Sequence, residues 1–247
     1  MRIFVTMLGY NRAEVVHGAM ENLEATTTDS EHRRLIKTLF LCQYPIPSVE
    51  ENRAELLKIG AEFGFWTTEI QNEGGLENHN KAIHDYYRML PGDYYICFDP
   101  DVRMQEKGWI SAMVEALESD RDTVFVCASR HFHNDEWCYK HHGRTIHTLP
   151  SGLRISRYNQ LLAWSMGMWK GEWLAKRPRD FKAACKWYGY FEHADIALMN
   201  KHGKTWCETT DFYDNHIAAE ELYTEWKVAS AGHHTKVSFN EWLVDKR

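Results

Sequence analysis

The sequence lacks the cysteine pairs and the long apolar runs that mark several classes of protein. None of its six cysteines forms a C-x-x-C pair, and they stand at positions 42, 97, 127, 138, 185 and 207. This spacing fits no common zinc site, and thiols inside apolar runs indicate a reducing, cytoplasmic compartment rather than a disulfide scaffold. No apolar run is long enough to span a membrane, and Met1 to Val5 is typical of a strand rather than of a signal peptide.

Positive charge is also scarce. The chain has 29 Lys and Arg residues against 35 Asp and Glu residues, a net charge of −6, which argues against nucleic-acid binding by the whole surface. A basic cluster extends from Lys176 to Lys182. We expect it to be a solvated surface, with the alternative that it contacts a phosphate-bearing acceptor such as a lipid-linked sugar or a nucleic acid.

Segments typical of strands alternate with segments whose apolar residues recur at helical spacing. The predicted strands are 2–8, 35–42, 66–70, 94–98, 123–128 and 162–169, and the predicted helices are 13–25, 49–63, 77–89, 104–117 and one beginning near 192. This alternation predicts a mainly parallel sheet with helices on both faces. Because no repeat, low-complexity tract or linker interrupts it, we expect one domain.

A pair of aspartates follows the predicted strand 94–98. Pro100 stands between Asp99 and Asp101, and since proline fixes its own φ and restricts the preceding residue, the turn is expected to be stiff. Two carboxylates suit a hard divalent cation that also binds substrate phosphates. Open α/β sheets bind their ligands beyond the carboxyl ends of strands. The context therefore favours a metal site over a solvated turn, which is the alternative.

Four segments, in this order along the chain, resemble motifs of the glycosyltransferases with the GT-A fold, especially glycosyltransferase family 2. They are Gly9–Arg12, Gly75–Ala82, Pro91–Asp101 and Phe191–Gly203. Together they cover roughly residues 1–207, and their order is more specific than any single motif. The resemblance implies an α/β fold of the GT-A, Rossmann-like type, with a mainly parallel mixed sheet flanked by helices in a single domain. It also implies a nucleotide-sugar-binding half, 1–128, and an acceptor-binding half with a C-terminal segment, 129–247.

The same resemblance implies a nucleotide-sugar site. Its residues would be Tyr10, Asn11, Arg12 and Gln43 for the nucleotide, Asn80 for the diphosphate, and Trp164 with Ser165 and Gly167 for the sugar pocket. Ordinary core packing is the alternative role for the last three. Family members usually end the second strand with an acidic residue, whereas this chain has Cys42-Gln43-Tyr44, so the nucleobase stays open.

The metal would be Mn²⁺ or Mg²⁺. By the resemblance, Asp101 would ligate it, and Asp99 would lie near the ribose or the metal. His233 or His234, in a segment similar to the family's H-H-x-x-x-S, could complete the metal shell, since imidazole is compatible with Mn²⁺. A polar turn is the alternative interpretation of that segment, and His216 is a weaker competitor for the same role.

An inverting transfer needs a carboxylate that takes the proton from the acceptor hydroxyl. Glu192 and Asp195 lie three residues apart at the start of a predicted helix, so they can share a face. We rank Glu192 first, Asp195 second and His193, which stands where the family usually has Asp, third. Capping of the helix is the alternative role for one of the two carboxylates, and a retaining mechanism stays open.

The predicted function is the transfer of one sugar from a nucleoside-diphosphate sugar to a hydroxyl of a glycan, a lipid-linked glycan or a modified nucleobase. A nucleotidyltransferase would share the sheet and the metal carboxylates, but no Gly-rich phosphate loop followed by lysine occurs near the N-terminus. A non-catalytic module that binds carbohydrate or nucleic acid on the same fold is the second alternative. The sugar, the exact acceptor and the oligomeric state stay open.

Overall fold

The computed structural model of the chain describes residues 1–9, 13–43, 47–71, 86, 89–130, 145–157, 166–176 and 191–216. The helices in these ranges are α1 (Ala13–Thr26), α2 (Asp29–His32), α3 (Pro47–Glu62), α4 (Trp109–Glu118), α5 (Gly171–Lys176) and α6 (Phe191–Lys201). The strands are β1 (Ile3–Gly9), β2 (Leu35–Gln43), β3 (Trp66–Gln71), β4 (Tyr94–Phe98), β5 (Val102–Met104), β6 (Thr123–Arg130), β7 (Thr145–Thr148), β8 (Arg154–Arg157), β9 (Met166–Lys170) and β10 (Thr205–His216). None of these helices is long and apolar enough to cross a membrane.

All of the described strands belong to one mixed sheet. Their order is β3-β2-β1-β4-β9-β6-β10-β8-β7, and β5 pairs with the end of β10. The first four strands in this order are parallel to one another, β9 runs opposite to β4 and β6, and β10 is parallel to β6. Six strands (β1, β2, β3, β4, β6 and β10) therefore point the same way. Their carboxyl ends form one side of the sheet, which we call the carboxyl edge.

Helices cover both faces of the sheet. On the first face, Met20 of α1, Leu56 of α3 and Met113 of α4 are buried in one cluster with sheet residues. On the second face, Trp173 of α5 and Met199 of α6 are buried in another cluster with sheet aromatics. Burial of apolar surface on both faces is what a parallel sheet requires, and it explains why the strands are nearly continuous apolar runs.

The side chains on the second face become smaller or more polar along the strands towards the carboxyl edge. Five aromatic residues lie in register across it, on β1, β4, β9, β6 and β10: Phe4, Tyr95, Trp169, Phe125 and Trp206. Two residues closer to the carboxyl edge, the next row holds smaller or polar residues: Thr6, Cys97, Gly167, Cys127 and Glu208. Alternation along a strand puts both rows on one face. The packing therefore changes from large rings to smaller side chains towards the edge at which β4 ends.

The predicted α/β architecture, a mixed sheet flanked by helices in a single domain, is confirmed. The predicted strands 2–8, 35–42, 66–70, 94–98 and 123–128 and the helices 13–25 and 49–63 agree with β1, β2, β3, β4, β6, α1 and α3 to within two residues. The helix predicted near 192 is α6. Of the strand predicted over 162–169, the part from Met166 onwards is β9, and the helix predicted over 77–89 lies outside the described residues except at Tyr86 and Met89.

The helix predicted over 104–117 is wrong in its first part. Met104 ends β5, and α4 begins only at Trp109. Residues 102–104 are extended because they pair antiparallel with Asp214–His216 of β10. Gly108, at φ +87°, then opens the helix in a left-handed conformation that favours glycine. A distant strand thus decides the conformation of a segment whose local pattern is compatible with a helix.

Candidate active site

The Asp99-Pro100-Asp101 segment forms a turn at the carboxyl edge, directly after β4. The amide of Val102 donates to the carbonyl oxygen of Asp99 at 3.0 Å, which closes the turn. The chain then continues into β5, which pairs with β10 rather than with a parallel strand. The predicted position of the two carboxylates beyond the carboxyl end of a central parallel strand is therefore confirmed.

The two carboxylates of the turn have different surroundings. Asp101 is only 7% exposed. Burial lowers the pKa of the half-buried Arg103 guanidinium, and the negative charges of Asp101 and Glu21 act in the opposite direction and raise it. Asp99 is half-buried. Burial raises the pKa of the Cys97 thiol, and the charge of Asp99 adds to that rise. One carboxylate is thus enclosed near a cation, and the other is more accessible and near a thiol.

The end of β10 lies next to this turn. Between Thr209 and Tyr213 its register with β6 shifts. The pairing with β6 resumes at Tyr213 and Asp214, and residues 214–216 also pair with β5. In that pairing His216 is the partner of Val102, the residue after Asp101. Of the histidines considered for the metal, His216 therefore has a defined position beside the turn, although its side chain lies outside the described part of the structure. His233 and His234 fall outside the described residues altogether.

Helix α6 carries the predicted acid–base residues. It ends at Lys201; after Gly203 (φ +63°) the amide of Lys204 donates to the carbonyl of Met199 at 2.8 Å, and β10 begins at Thr205. Since β10 runs towards the carboxyl edge, the last turn of α6 lies at the opposite edge. The helix packs on the second face through Met199 and Ile196. Glu192, His193 and Asp195 are among its first five residues; because their side chains are not described, their roles stay predictions.

The remaining predicted site residues are only partly covered by the structure. Gln43 ends β2 at the carboxyl edge, but only its backbone is described. Gly167 lies in β9, where an added Cβ would collide with the ring of Phe125. Its predicted alternative role in core packing therefore accounts for this glycine. The others lie outside the described residues: Tyr10, Asn11, Arg12, Asn80, Trp164 and Ser165.

Carboxylate oxygens are the donors that Mn²⁺ and Mg²⁺ prefer, so Asp99 and Asp101 fit such an ion. Among the described side chains no third His, Cys, Asp or Glu joins them in a cluster that could hold a metal. Two protein carboxylates are nevertheless enough where a substrate diphosphate supplies further oxygens. The two aspartates are therefore compatible with a metal that is bound together with a phosphate-bearing ligand.

Sequence reasoning missed two residues that hold the turn in place. Asn22 in α1 donates from Nδ2 to the carbonyl of Met104 at 2.9 Å and accepts from its amide at 2.7 Å. Arg103 bonds carbonyls of the turn and of α1. No local pattern could have indicated either role, because β5 is three residues long and its position depends on the pairing with β10.

Neither a protein-family model nor a curated protein matches the sequence. Solved structures do match the fold. A mannosyltransferase from Pyrobaculum calidifontis, solved in complex with GDP-Man and Mn²⁺, superimposes with a TM-score of 0.59 at 14% identity, over 94% of this chain and 61% of that chain. GalNAc-T7, solved with UDP, GalNAc and Mn²⁺, superimposes with a TM-score of 0.58 at 11% identity, over 97% of this chain and 52% of that chain.

The chain has the GT-A fold. The two superpositions cover nearly the whole length of the chain. The chain spans less than two thirds of the mannosyltransferase and about half of GalNAc-T7. Identities this low are evidence for the fold alone, so the activity has to be argued from the site.

Proposed function

We propose that this chain is a metal-dependent glycosyltransferase, similar to glycosyltransferase family 2, that moves a hexosyl or pentosyl group from a nucleoside-diphosphate sugar to a hydroxyl acceptor. The observation that carries the proposal is the closed Asp99-Pro100-Asp101 turn at the carboxyl edge of a GT-A sheet. Its buried Asp101 and half-buried Asp99 offer hard oxygen donors where such sheets bind ligands. The ligands of both structural neighbours, a nucleotide or nucleotide sugar with Mn²⁺, are consistent with it.

Asp101 would hold Mn²⁺ or Mg²⁺, with Asp99 beside it or near the ribose. His216 becomes our first choice for a further ligand because the pairing of β10 with β5 sets it opposite Val102. His233 or His234 is the alternative. When bound, the metal would neutralise negative charge on the departing nucleoside diphosphate. The chain itself would hold the carboxylates and the donor in a fixed mutual position.

The acceptor hydroxyl needs a base. We propose that Glu192 takes its proton while the acceptor oxygen forms the new bond to the anomeric carbon and the bond to the diphosphate breaks, which inverts that carbon. Asp195 and His193 are the alternatives in the same turn. The packing of α6 on the same sheet that carries the aspartate turn is consistent with the assignment.

The acceptor would be a glycan, a lipid-linked glycan or a modified nucleobase. Residues 1–128 would bind the donor and 129–247 the acceptor.

Cys97, Cys127 and Cys207 carry thiol groups rather than disulfides, which supports a reducing location such as the cytoplasm. Burial raises the pKa of the Cys207 thiol to about 12, so this group stays protonated at neutral pH.

The proposal is tested by a thermal-shift screen of nucleoside diphosphates and nucleotide sugars, each with and without Mn²⁺. A ligand at 100 times its Kd stabilises the native state by about 2.7 kcal/mol, which for a chain of this size raises Tm by roughly 5–10 °C. We expect such a shift only when nucleotide and metal are both present. It should disappear in Asp101→Asn and persist in Asp29→Asn, a control at an exposed aspartate in α2.

Other outcomes would favour the alternatives. A shift with nucleoside triphosphates but with no nucleotide sugar would indicate a nucleotidyltransferase. A metal-independent shift with free sugars or oligonucleotides would indicate a binding module. Either result, or the absence of any nucleotide shift in the wild type, would contradict the glycosyltransferase proposal.

A further inference from the structure

One guanidinium binds three backbone carbonyls behind the aspartate turn. Arg103 donates from Nη1 to the carbonyl oxygens of Pro100 at 2.6 Å and Val102 at 2.7 Å, and from Nη2 to that of Val15 at 3.1 Å. The Pro100 carbonyl belongs to the peptide bond that joins Pro100 to Asp101. A hydrogen bond to it therefore fixes the plane of the peptide from which Asp101 departs. The planar fork of arginine is suited to several acceptors at once, which a lysine is not.

This contact needs a glycine in α1. A Cβ added to Gly18 would lie 2.7 Å from Nη2 of Arg103, so any larger residue would push the guanidinium away from the helix. Glycine in the interior of a helix is less stable than alanine. Helix propensity therefore favours alanine at this position, and the space required by Arg103 accounts for the glycine.

A different residue holds the far end of β5. Asn22 makes two hydrogen bonds to the backbone of Met104, at 2.7 Å and 2.9 Å, and β5 also pairs with β10. Loss of the Arg103 contacts is therefore expected to loosen the turn without detaching β5. Asn22 therefore fixes the position of β5, whereas Arg103 fixes the orientation of the turn that carries the aspartates.

We infer that Arg103, seated in the space beside Gly18, is a positioning residue that ties the Asp99–Asp101 turn to the first turns of α1. The inference rests on the proposed function, in which this turn holds the metal. Helix α1 begins directly after residues 10–12, which the sequence resemblance assigns to the nucleotide. The Arg103 contact would thus connect the segment that binds the metal to the one that binds the donor.

The test compares wild type, Gly18→Ala, Arg103→Met, the double variant and Arg121→Met, a control at an exposed arginine. Free Mn²⁺ is measured by electron paramagnetic resonance with the metal alone and with GDP or UDP. We expect Gly18→Ala to change Tm little, because the gain in helix propensity offsets part of the loss of the Arg103 hydrogen bonds. It should nevertheless weaken Mn²⁺ binding about 10-fold to 100-fold, as the loss of a group that orients metal ligands does. Arg103→Met should weaken it similarly, and Arg121→Met should not.

The effects of Gly18→Ala and Arg103→Met on Mn²⁺ affinity should not be additive. If Gly18→Ala acts by displacing Arg103, it should cause no further loss of Mn²⁺ affinity in the Arg103→Met background. Additive losses, or Mn²⁺ binding in Gly18→Ala equal to that of the wild type, would overturn the inference. A merely structural role would not combine a nearly unchanged Tm with weaker metal binding.

Hydrogen exchange separates this inference from the proposed function. In both single variants the amides of Asp99, Asp101 and Val102 should exchange faster, by at least about tenfold, while those of α1 and of Met104 stay protected. If wild type binds no Mn²⁺ with any nucleotide, the proposed function is wrong. If, in addition, hydrogen exchange in Gly18→Ala equals that of the wild type, the positioning role of Arg103 is also overturned. If wild type binds Mn²⁺ but exchange is unchanged, only the positioning role is overturned.

Discussion

At the scale of single residues, Asp99 and Asp101 are alike in chemistry and unlike in environment. Asp101 is enclosed, and its charge faces the half-buried guanidinium of Arg103. Asp99 is more accessible and lies near the thiol of Cys97. A buried charge depends on its partner far more than an accessible one does. The two aspartates should therefore differ in what they contribute to stability, even where both contribute to metal binding.

We predict that Asp101→Asn destabilises the protein more than Asp99→Asn does. Removing the charge of the enclosed Asp101 takes away the carboxylate that most favours the charged form of Arg103, which should cost about 1 kcal/mol of unfolding free energy because solvent screens the half-buried guanidinium. The change at Asp99 should cost no more than about 0.5 kcal/mol. Urea unfolding at pH 7 without metal measures both. Equal losses in the two variants would show that the enclosure of Asp101 has no energetic consequence.

At the scale of elements, a carboxylate from α2 caps α4. The N-cap of α4, Gly108, offers no side-chain hydrogen bond. Glu31 supplies the missing cap, because one of its carboxylate oxygens accepts from the amide and the hydroxyl of Ser111, both at 2.7 Å, and the other accepts from Thr28. Burial alone would raise the pKa of Glu31, but these hydrogen bonds together outweigh it, so that its pKa lies below the ordinary value. The capping box of α2 and the start of α4 thus depend on one side chain.

We predict that Glu31→Gln destabilises the fold in a pH-dependent way. A carboxylate whose pKa is lowered by folding stabilises the native state above its unfolded pKa, and this contribution disappears as the pH falls through the folded pKa. The loss should be about 1–3 kcal/mol at pH 7 and should shrink below about pH 4. Urea unfolding of both proteins at several pH values measures it. A difference that stays constant down to the acid transition would contradict the assigned role.

At the scale of the whole molecule, local patterns were sufficient for the central sheet and insufficient for its far half. The strand before Asp99, the proline turn and the helix with Glu192 and Asp195 follow from runs and spacings within about 15 residues. Strands β5, β7, β8 and β10 were not predicted. β10 contains many β-branched and aromatic residues and could have been recognised by composition. β5 could not, since three residues give no period, and only its pairing with β10 defines it.

The same dependence on distant contacts limits what could be predicted of the site. The positions of Asp99 and Asp101 were predicted because the strand and the turn are local. Arg103 and Asn22 join β5 to α1 through hydrogen bonds between residues that are more than 80 positions apart in the chain, and Gly18 leaves the space that Arg103 occupies. Such contacts become visible only once the sheet has brought the segments together.

Release of nucleoside diphosphate from a nucleotide sugar, measured without acceptor, shows most directly whether the aspartate turn supports sugar transfer. With the donor identified by thermal shift, wild type should release the diphosphate slowly and only with Mn²⁺ or Mg²⁺, by transfer of the sugar to water. Asp101→Asn should lower the rate at least about 100-fold, since electrostatic stabilisation of the leaving group is lost, while Asp29→Asn retains it. Release that is independent of metal, or equal in wild type and Asp101→Asn, would contradict the account.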